Sequence, residues 1–155
     1  MNYAAIDKAS HVNGEGSRVV LWVCGCCHNC DGCQNPELQD VGYGMMFTKR
    51  VLMQLIDCCD RPVIDGLTIS GGDPMHPMNR SDVRDVARTI KLETHKSIWM
   101  YTGYDFEQIK DCSVLAYLDV IVDGRYDKTR PPAIWRGSDN QRIWRKVEGV
   151  WMCER

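Results

Sequence analysis

The chain has 155 residues, 44% hydrophobic and 26% charged, with a formal net charge of −2. That length fits one domain, 1–155, with room for a real core, and the charge gives no electrostatic case for nucleic acid or an anionic membrane. No apolar stretch approaches the roughly 20 residues that span a bilayer, and Met1 to Lys8 has no apolar signal core, so a cytoplasmic protein is expected.

Arg18 to Val23 is a short apolar run of the kind that forms a buried parallel strand. The segment Gly25-Cys26-Cys27-His28-Asn29-Cys30-Asp31-Gly32-Cys33 follows at once. Thr48 to Cys59 reads as an amphipathic helix, with Thr48 as N-cap and Val51, Leu52, Leu55 and Ile56 at helical spacing. Ile64 to Ile69 is a second strand, stopped by Gly71-Gly72. Ser81 to Leu92 is a second helix, with Val83, Val86, Ala87 and Ile90 on one face. Ser97 to Tyr101 is a third strand ending at Thr102-Gly103. Asp105 to Leu118 reads as an interrupted helix, and Asp119 to Val122 as a fourth strand ending at Asp123-Gly124.

Strands alternating with helices predict a parallel sheet of right-handed βαβ units. A complete eightfold barrel takes about 250 residues, which leaves room here for roughly five or six units. The expected fold is therefore α/β, a partial, open β/α barrel of about five or six parallel strands. Its lateral gap suits an enzyme that acts on a loop of a large protein. Ligands in such folds sit beyond the carboxyl ends of the strands, so the cysteine loop, Gly-Gly-Asp-Pro, Thr-Gly-Tyr and Asp-Gly should converge on one face.

Nine cysteines are an odd number and fall below the roughly 8–10% that marks a disulfide scaffold. Five lie between Cys24 and Cys33, which points to metal. The spacing Cys26-x3-Cys30-x2-Cys33 offers three soft ligands to a cubane cluster and leaves one iron open. Structural zinc is the rival, because Cys30-x2-Cys33 can be half of a site and His28 can complete a local Cys3His set. No second cysteine pair is present: Cys58 and Cys59 are adjacent, while Cys112 and Cys153 are isolated. Cys24 reads as a small buried residue and Cys27 as a bystander within the ligand loop. His11, His76 and His95 are given no role.

The cysteine motif resembles that of the radical S-adenosylmethionine (SAM) enzymes. Flanking it are Val12-Asn13-Gly14-Glu15-Gly16-Ser17-Arg18 and Ser70-Gly71-Gly72-Asp73-Pro74. Farther on come Tyr101-Thr102-Gly103-Tyr104, Val122-Asp123-Gly124-Arg125-Tyr126 and Trp135-Arg136-Gly137-Ser138-Asp139-Asn140-Gln141-Arg142. As an ordered set these resemble the anaerobic ribonucleoside-triphosphate reductase activating proteins, from about Met1 to Trp151. The resemblance implies an oxidoreductase whose 4Fe–4S cluster is held by Cys26, Cys30 and Cys33, with no catalytic residue beyond the cluster and SAM. Gly71, Gly72 and Asp73 would bind the methionyl amino group of SAM, and Gly32, Cys33 and Gln34 would line its adenosyl side. Family members usually carry an aromatic residue where this chain has Gln34.

The implied activity is to form a 5′-deoxyadenosyl radical and install a glycyl radical on the partner reductase, alone or in a complex, as monomer or homodimer. A flavodoxin-like, low-potential protein would supply the electron. The Trp135–Gln141 motif is expected to close the barrel or dock the partner. Two other readings stay open: another radical SAM enzyme, either a different glycyl-radical activase or a small-molecule enzyme, and a non-catalytic zinc-binding module.

Overall fold

The computed structural model describes residues 1–154. Its strands are β1 (Asn2–Ser10), β2 (Arg18–Val23), β3 (Met45–Met46), β4 (Gly66–Gly71), β5 (Ser97–Tyr101), β6 (Val120–Asp123), β7 (Arg142–Val147) and β8 (Val150–Glu154). The helices are α1 (Lys49–Cys59), α2 (Arg80–Thr94) and the single turn α3 (Phe106–Ile109), with 3₁₀ turns at Pro36–Gln39 and Ser113–Tyr117. Thr48 caps α1, its hydroxyl accepting from the Val51 N–H. His95 ends α2 in the left-handed conformation, its N–H reaching the Lys91 carbonyl. The predicted interruption after Asp105 is real, since α3 stops at Ile109 and a 3₁₀ turn resumes at Ser113.

All eight strands form one sheet in the order β3-β1-β2-β4-β5-β6-β7-β8. Four of them, β2, β4, β5 and β6, run parallel; β1, β3, β7 and β8 add antiparallel margins. The parallel core is thus four strands where five or six were expected. The reason lies in the connections. β7 and β8 are joined by Glu148-Gly149 alone, both at positive φ, and so short a turn can only build an antiparallel hairpin. The link between β1 and β2 likewise contains no helix to carry the chain back.

Alternation along the strands gives the sheet two unlike faces. Val19, Leu21, Val23, Leu67, Ile69, Ile98, Met100 and Ile121 pack with Leu55 of α1 and with Val83, Val86, Ala87 and Ile90 of α2 in one aliphatic core. Their neighbours along the strands point the other way, where Trp99, Val120, Val122 and Ile143 form a smaller cluster with Tyr101 and Trp135. Arg18 and Thr68 are buried on that second face, the Arg18 Nε donating to the Thr68 hydroxyl at 2.7 Å.

Candidate metal centre

Because β2, β4, β5 and β6 are parallel and in register, their carboxyl ends lie side by side. Val23 pairs with Gly71, and Tyr101 with Val122. The segments that follow these ends meet around a cavity of about 610 Å³ on the second face of the sheet. Cys26, Cys30 and Cys33 line it, together with Gly71 and Gly72 at the end of β4, Thr102 and Gly103 just after β5, and Gly124 just after β6. Trp22, Ser70 and Tyr101 form its floor, and the long loop between β6 and β7 contributes Trp135, Arg136 and Gln141.

Backbone bonds shape the cysteine loop. The Gly25 and Cys26 N–H groups donate to the Leu38 and Gln39 carbonyls, and the Cys33 N–H donates to the Cys30 carbonyl at 3.2 Å, turning the last two cysteines together. Asn29 and Gly32 both lie at positive φ, which lets so short a segment double back. The Gly-Gly-Asp turn is tied to the same loop: Gly72 N–H donates to Val23, and Asp73 N–H to Gly25. A Cβ on Gly71 would stand 2.3 Å from the Val23 carbonyl oxygen, and one on Gly72 would stand 2.4 Å from that of Leu38. The two glycines are therefore needed first for strand and loop to touch.

Asp73 sits behind the cavity wall, fully buried. Its carboxylate accepts from Met75 N–H (2.7 Å), the Thr102 hydroxyl (2.8 Å), Gly103 N–H (2.9 Å) and the His28 Nε2 (2.6 Å). One carboxylate thus joins the cysteine loop to the ends of β4 and β5. The His28 ring packs so closely over Gly103 that a Cβ there would come within 2.4 Å of it. Asn79 adds a second tie, donating from Nδ2 to the carbonyls of Cys24 (2.9 Å) and Asp73 (3.1 Å).

The nine cysteines sort by position. All are unpaired thiols. Cys24 is buried beneath the loop. Cys27 is exposed, with its Sγ 3.3 Å from the Tyr104 hydroxyl; that contact, with burial second, pushes the Tyr104 phenol up to about 12. Neither Cys24 nor Cys27 lines the cavity, nor do Cys58, Cys59, Cys112 and Cys153. Burial pushes the Cys26 thiol up to about 11, so a metal binding there must displace a proton.

Three soft thiol donors lining one cavity, with no fourth thiol lining it among the described residues, fit a cluster that keeps one iron open. Cys26, His28 and Asp73 also bring ligand atoms within 4.8 Å of one another, a grouping that could hold a single metal ion. In it, however, the His28 nitrogen and the Asp73 carboxylate are already bonded to each other.

Of the other residues singled out from the sequence, Gln34 lines the cavity and Gly32 does not; the side chain of Lys128 occupies the space where a Gly32 Cβ would point. His11 lines the cavity as well, although nothing in the sequence distinguished it. Asn79 and Lys128 carried no signal either, because each acts through a contact made across the fold. The Trp135–Gln141 motif forms cavity wall. Gln141 holds that loop shut, its Oε1 accepting from Gly137 and Ser138 N–H and its Nε2 donating to the Gly124 carbonyl.

Comparison with known proteins places this geometry in context. A family model described as a 4Fe-4S single cluster domain matches residues 12–144. A protein of Enterobacteria phage T4 is 44% identical over 153 residues, covering 97% of this chain and 98% of the relative. Relatives from Pasteurella multocida (94% of this chain, 98% of the relative) and Escherichia coli K12 (92% and 97%) are each 38% identical. All three carry the name anaerobic ribonucleoside-triphosphate reductase-activating protein.

Proposed function

The chain belongs to the family of anaerobic ribonucleoside-triphosphate reductase-activating proteins, with their single 4Fe–4S cluster domain, and on that premise we propose that it is a radical SAM activase that installs a glycyl radical on its reductase. The observation that carries this reading is the set Cys26, Cys30 and Cys33 lining a cavity about 610 Å³ in volume that Cys24 and Cys27 do not line. When bound, the cluster and SAM supply one-electron cleavage of SAM to methionine, coupled to removal of a hydrogen atom from a glycine Cα of the reductase.

This chain's part is to bind, orient and shield. Cys26, Cys30 and Cys33 hold the cluster. The Asp73 carboxylate, through His28, Thr102 and Gly103, keeps the cysteine loop in register with the strand ends. By family likeness Gly71 and Gly72 form the methionyl side of the SAM site, with Asp73 buried behind them, and Cys33 and Gln34 the adenosyl side; Gly32, expected there too, lies outside the cavity. A backbone contact at Gln34 survives the loss of the usual aromatic ring, whereas a stacking contact does not. Trp22, Tyr101 and Trp135 give the cavity aromatic walls that exclude water.

A sheet that does not close, with edges at β3 and β8, agrees with the reading of a partial barrel, whose lateral gap would admit a loop of the reductase. A low-potential, flavodoxin-like protein is the proposed electron donor. The unpaired thiols agree with a reducing, cytoplasmic setting, and no helix among the described residues is long and apolar enough to cross a membrane.

The test is direct. Anaerobically reconstituted protein, given reductant and SAM, should produce a glycyl-radical EPR signal on its cognate reductase. Absence of that signal with a fully loaded cluster would sink the activase reading. The Cys26–His28–Asp73 grouping motivates the zinc reading, which iron, sulfide and zinc analysis of anaerobically purified protein separates: zinc without iron or sulfide would replace both enzyme readings.

A further inference from the structure

In the reading above, SAM and the glycine of the reductase occupy the cavity, so a protein that delivers an electron to the loaded cluster needs another approach. Cys27 is exposed and does not line the cavity, and neither does Tyr104, whose hydroxyl stands 3.3 Å from the Cys27 Sγ. The Tyr104 ring meets the His28 ring edge to face, with centroids 4.6 Å apart. Over the Tyr104 ring lies the Arg80 guanidinium, 5.3 Å from its centroid. Arg80, Tyr104 and Cys27 thus lead from the start of α2 to the residue next to Cys26.

This approach is positively charged. Arg80 and Arg84 line a second cavity of about 280 Å³ with Ser81, Cys112 and Ser113, and no aspartate or glutamate lines it. Arg80 is anchored through Nε, which donates to the Met75 carbonyl at 2.6 Å. Arg84 bonds its exposed neighbour Asp85, a surface pair of the kind that contributes little. Asp82, on the same turn, is engaged by the Met1 amino group. Arg88 is exposed, and neither it nor Arg80 forms an ion pair among the described residues. Spaced four apart, the three arginines share one side of α2 along about 12 Å of its axis. A stripe of that length exceeds a single small anion, and the cavity falls below the roughly 300–1,000 Å³ of a small-molecule site. On a chain of net charge −2 it is a local exception that suits an acidic protein face.

We propose that this face, with Arg80 and Arg84 beside Tyr104 and Cys27, is the docking surface for the low-potential electron donor, a protein whose redox group is rimmed by carboxylates. The inference rests on the donor reading above and gives that donor a place on the molecule. One electron passes from donor to cluster; the donor is oxidised by one electron, the cluster is reduced by one, and no atom is transferred. The reductase fits this face less well, because its glycine must enter the other cavity, which none of these four residues lines.

The test follows cluster reduction in the anaerobic, cluster-loaded protein by loss of its visible absorbance. Two reductants are compared: a reduced flavodoxin, mixed by stopped flow, and the small, uncharged 5-deazariboflavin radical, generated by a light flash. Arg84→Glu, with iron content and circular dichroism unchanged, should slow reduction by flavodoxin about 10-fold or more at low salt. The difference should shrink as ionic strength rises, and the deazariboflavin rate should stay that of the parent. Arg88→Glu, farther along α2 from the cysteine loop, should show the same pattern to a smaller degree.

Equal slowing with both reductants would overturn the inference and leave Arg84 a residue that shapes the cluster loop. An unchanged flavodoxin rate at low salt would overturn it too, and weakened capture of the reductase by Arg84→Glu in that case would assign the stripe to the reductase. A wild-type cluster that the deazariboflavin radical reduces and flavodoxin does not defeats the donor reading itself, which separates that failure from failure of the docking assignment.

Discussion

On the helix-covered face of the sheet, Leu21, Leu67, Ile69, Ile98 and Met100 bury aliphatic side chains against α1 and α2. One residue along each strand, Arg18, Thr68, Ser97 and Trp99 stand on the opposite face, where contacts are polar and directional. Arg18 is 1% exposed and is bonded to no carboxylate among the described residues. It donates instead to the Thr68 and Ser97 hydroxyls and to the carbonyls of Glu15, Leu67 and Ser97, with its guanidinium over the Trp99 ring. Burial lowers its pKa to about 10, so it stays charged at neutral pH. The first face is held by area and volume, which tolerate substitution of similar size. The second adds to its small apolar cluster hydrogen bonds whose direction is fixed. The cavity lies on the second, where a fixed geometry can be offered to a ligand.

The sharpest way to break this contrast is at the cysteines. Replacing Cys26, Cys30 or Cys33 by alanine should abolish cluster loading and radical installation while the far-UV circular dichroism stays that of the parent; iron and sulfide analysis checks it. The helix-covered face comes next. Leu21→Ala should cost about 2–5 kcal/mol in a urea titration, with the iron content of the folded fraction unchanged. On the cavity face Thr68→Val keeps the volume but removes the acceptor of Arg18 Nε and the donor to the Asn13 carbonyl, and should cost about 1–3 kcal/mol. If Thr68→Val were neutral, the directional account of that face would be wrong.

A smaller effect is expected with pH. Burial pushes the Cys59 thiol from its ordinary 9.0 up to about 12. The unfolded chain therefore ionises first, and the stability that Cys59 contributes is complete below pH 9 and lost as pH rises toward 12. The slope cannot exceed about 1.4 kcal/mol per pH unit. Tyr101, on the cavity face, is also raised by burial but from 10.0, whereas Cys24 and Cys26 are raised from the same 9.0, so between pH 9 and 10 the share of Cys59 is the difference between the parent and Cys59→Ala. Urea midpoints measured there should fall with pH in the parent and less steeply in Cys59→Ala. The smallest effect belongs to Cys27→Ser, which should leave cluster content and radical yield unchanged; a loss of iron in that variant would move Cys27 into the ligand set.

Much of this was legible in the chain before folding. The four parallel strands read from the sequence appear within a few residues of their expected bounds, and Thr48 caps α1 as its side chain suggests. The antiparallel margins were not read. β1 mixes polar with apolar residues and buries only Tyr3, and β8, although Val150-Trp151-Met152-Cys153 is an apolar run, buries none of its described residues. One signal was there to find: Glu148-Gly149 is a two-residue turn between Arg142–Val147 and Val150–Glu154, the mark of a hairpin. Gly71 and Gly72 stood out as glycines, and the fold adds a reason the sequence did not show, since their lack of Cβ lets them pass the Val23 and Leu38 carbonyls.

By itself the sequence determined the ligand chemistry: three thiols at spacing suited to a cluster, on a loop that follows a buried strand. Such a pattern depends on residues within a few positions of one another, and local spacing carries it. Tertiary structure alone decided which thiols line the cavity and which do not, that the Asp73 carboxylate would be shared by His28, Thr102 and Gly103, and that Arg80 would lie over the Tyr104 ring beside Cys27. Those contacts join residues far apart in the chain, and they exist only once the parallel strands align their carboxyl ends and Gln141 closes the long loop over them.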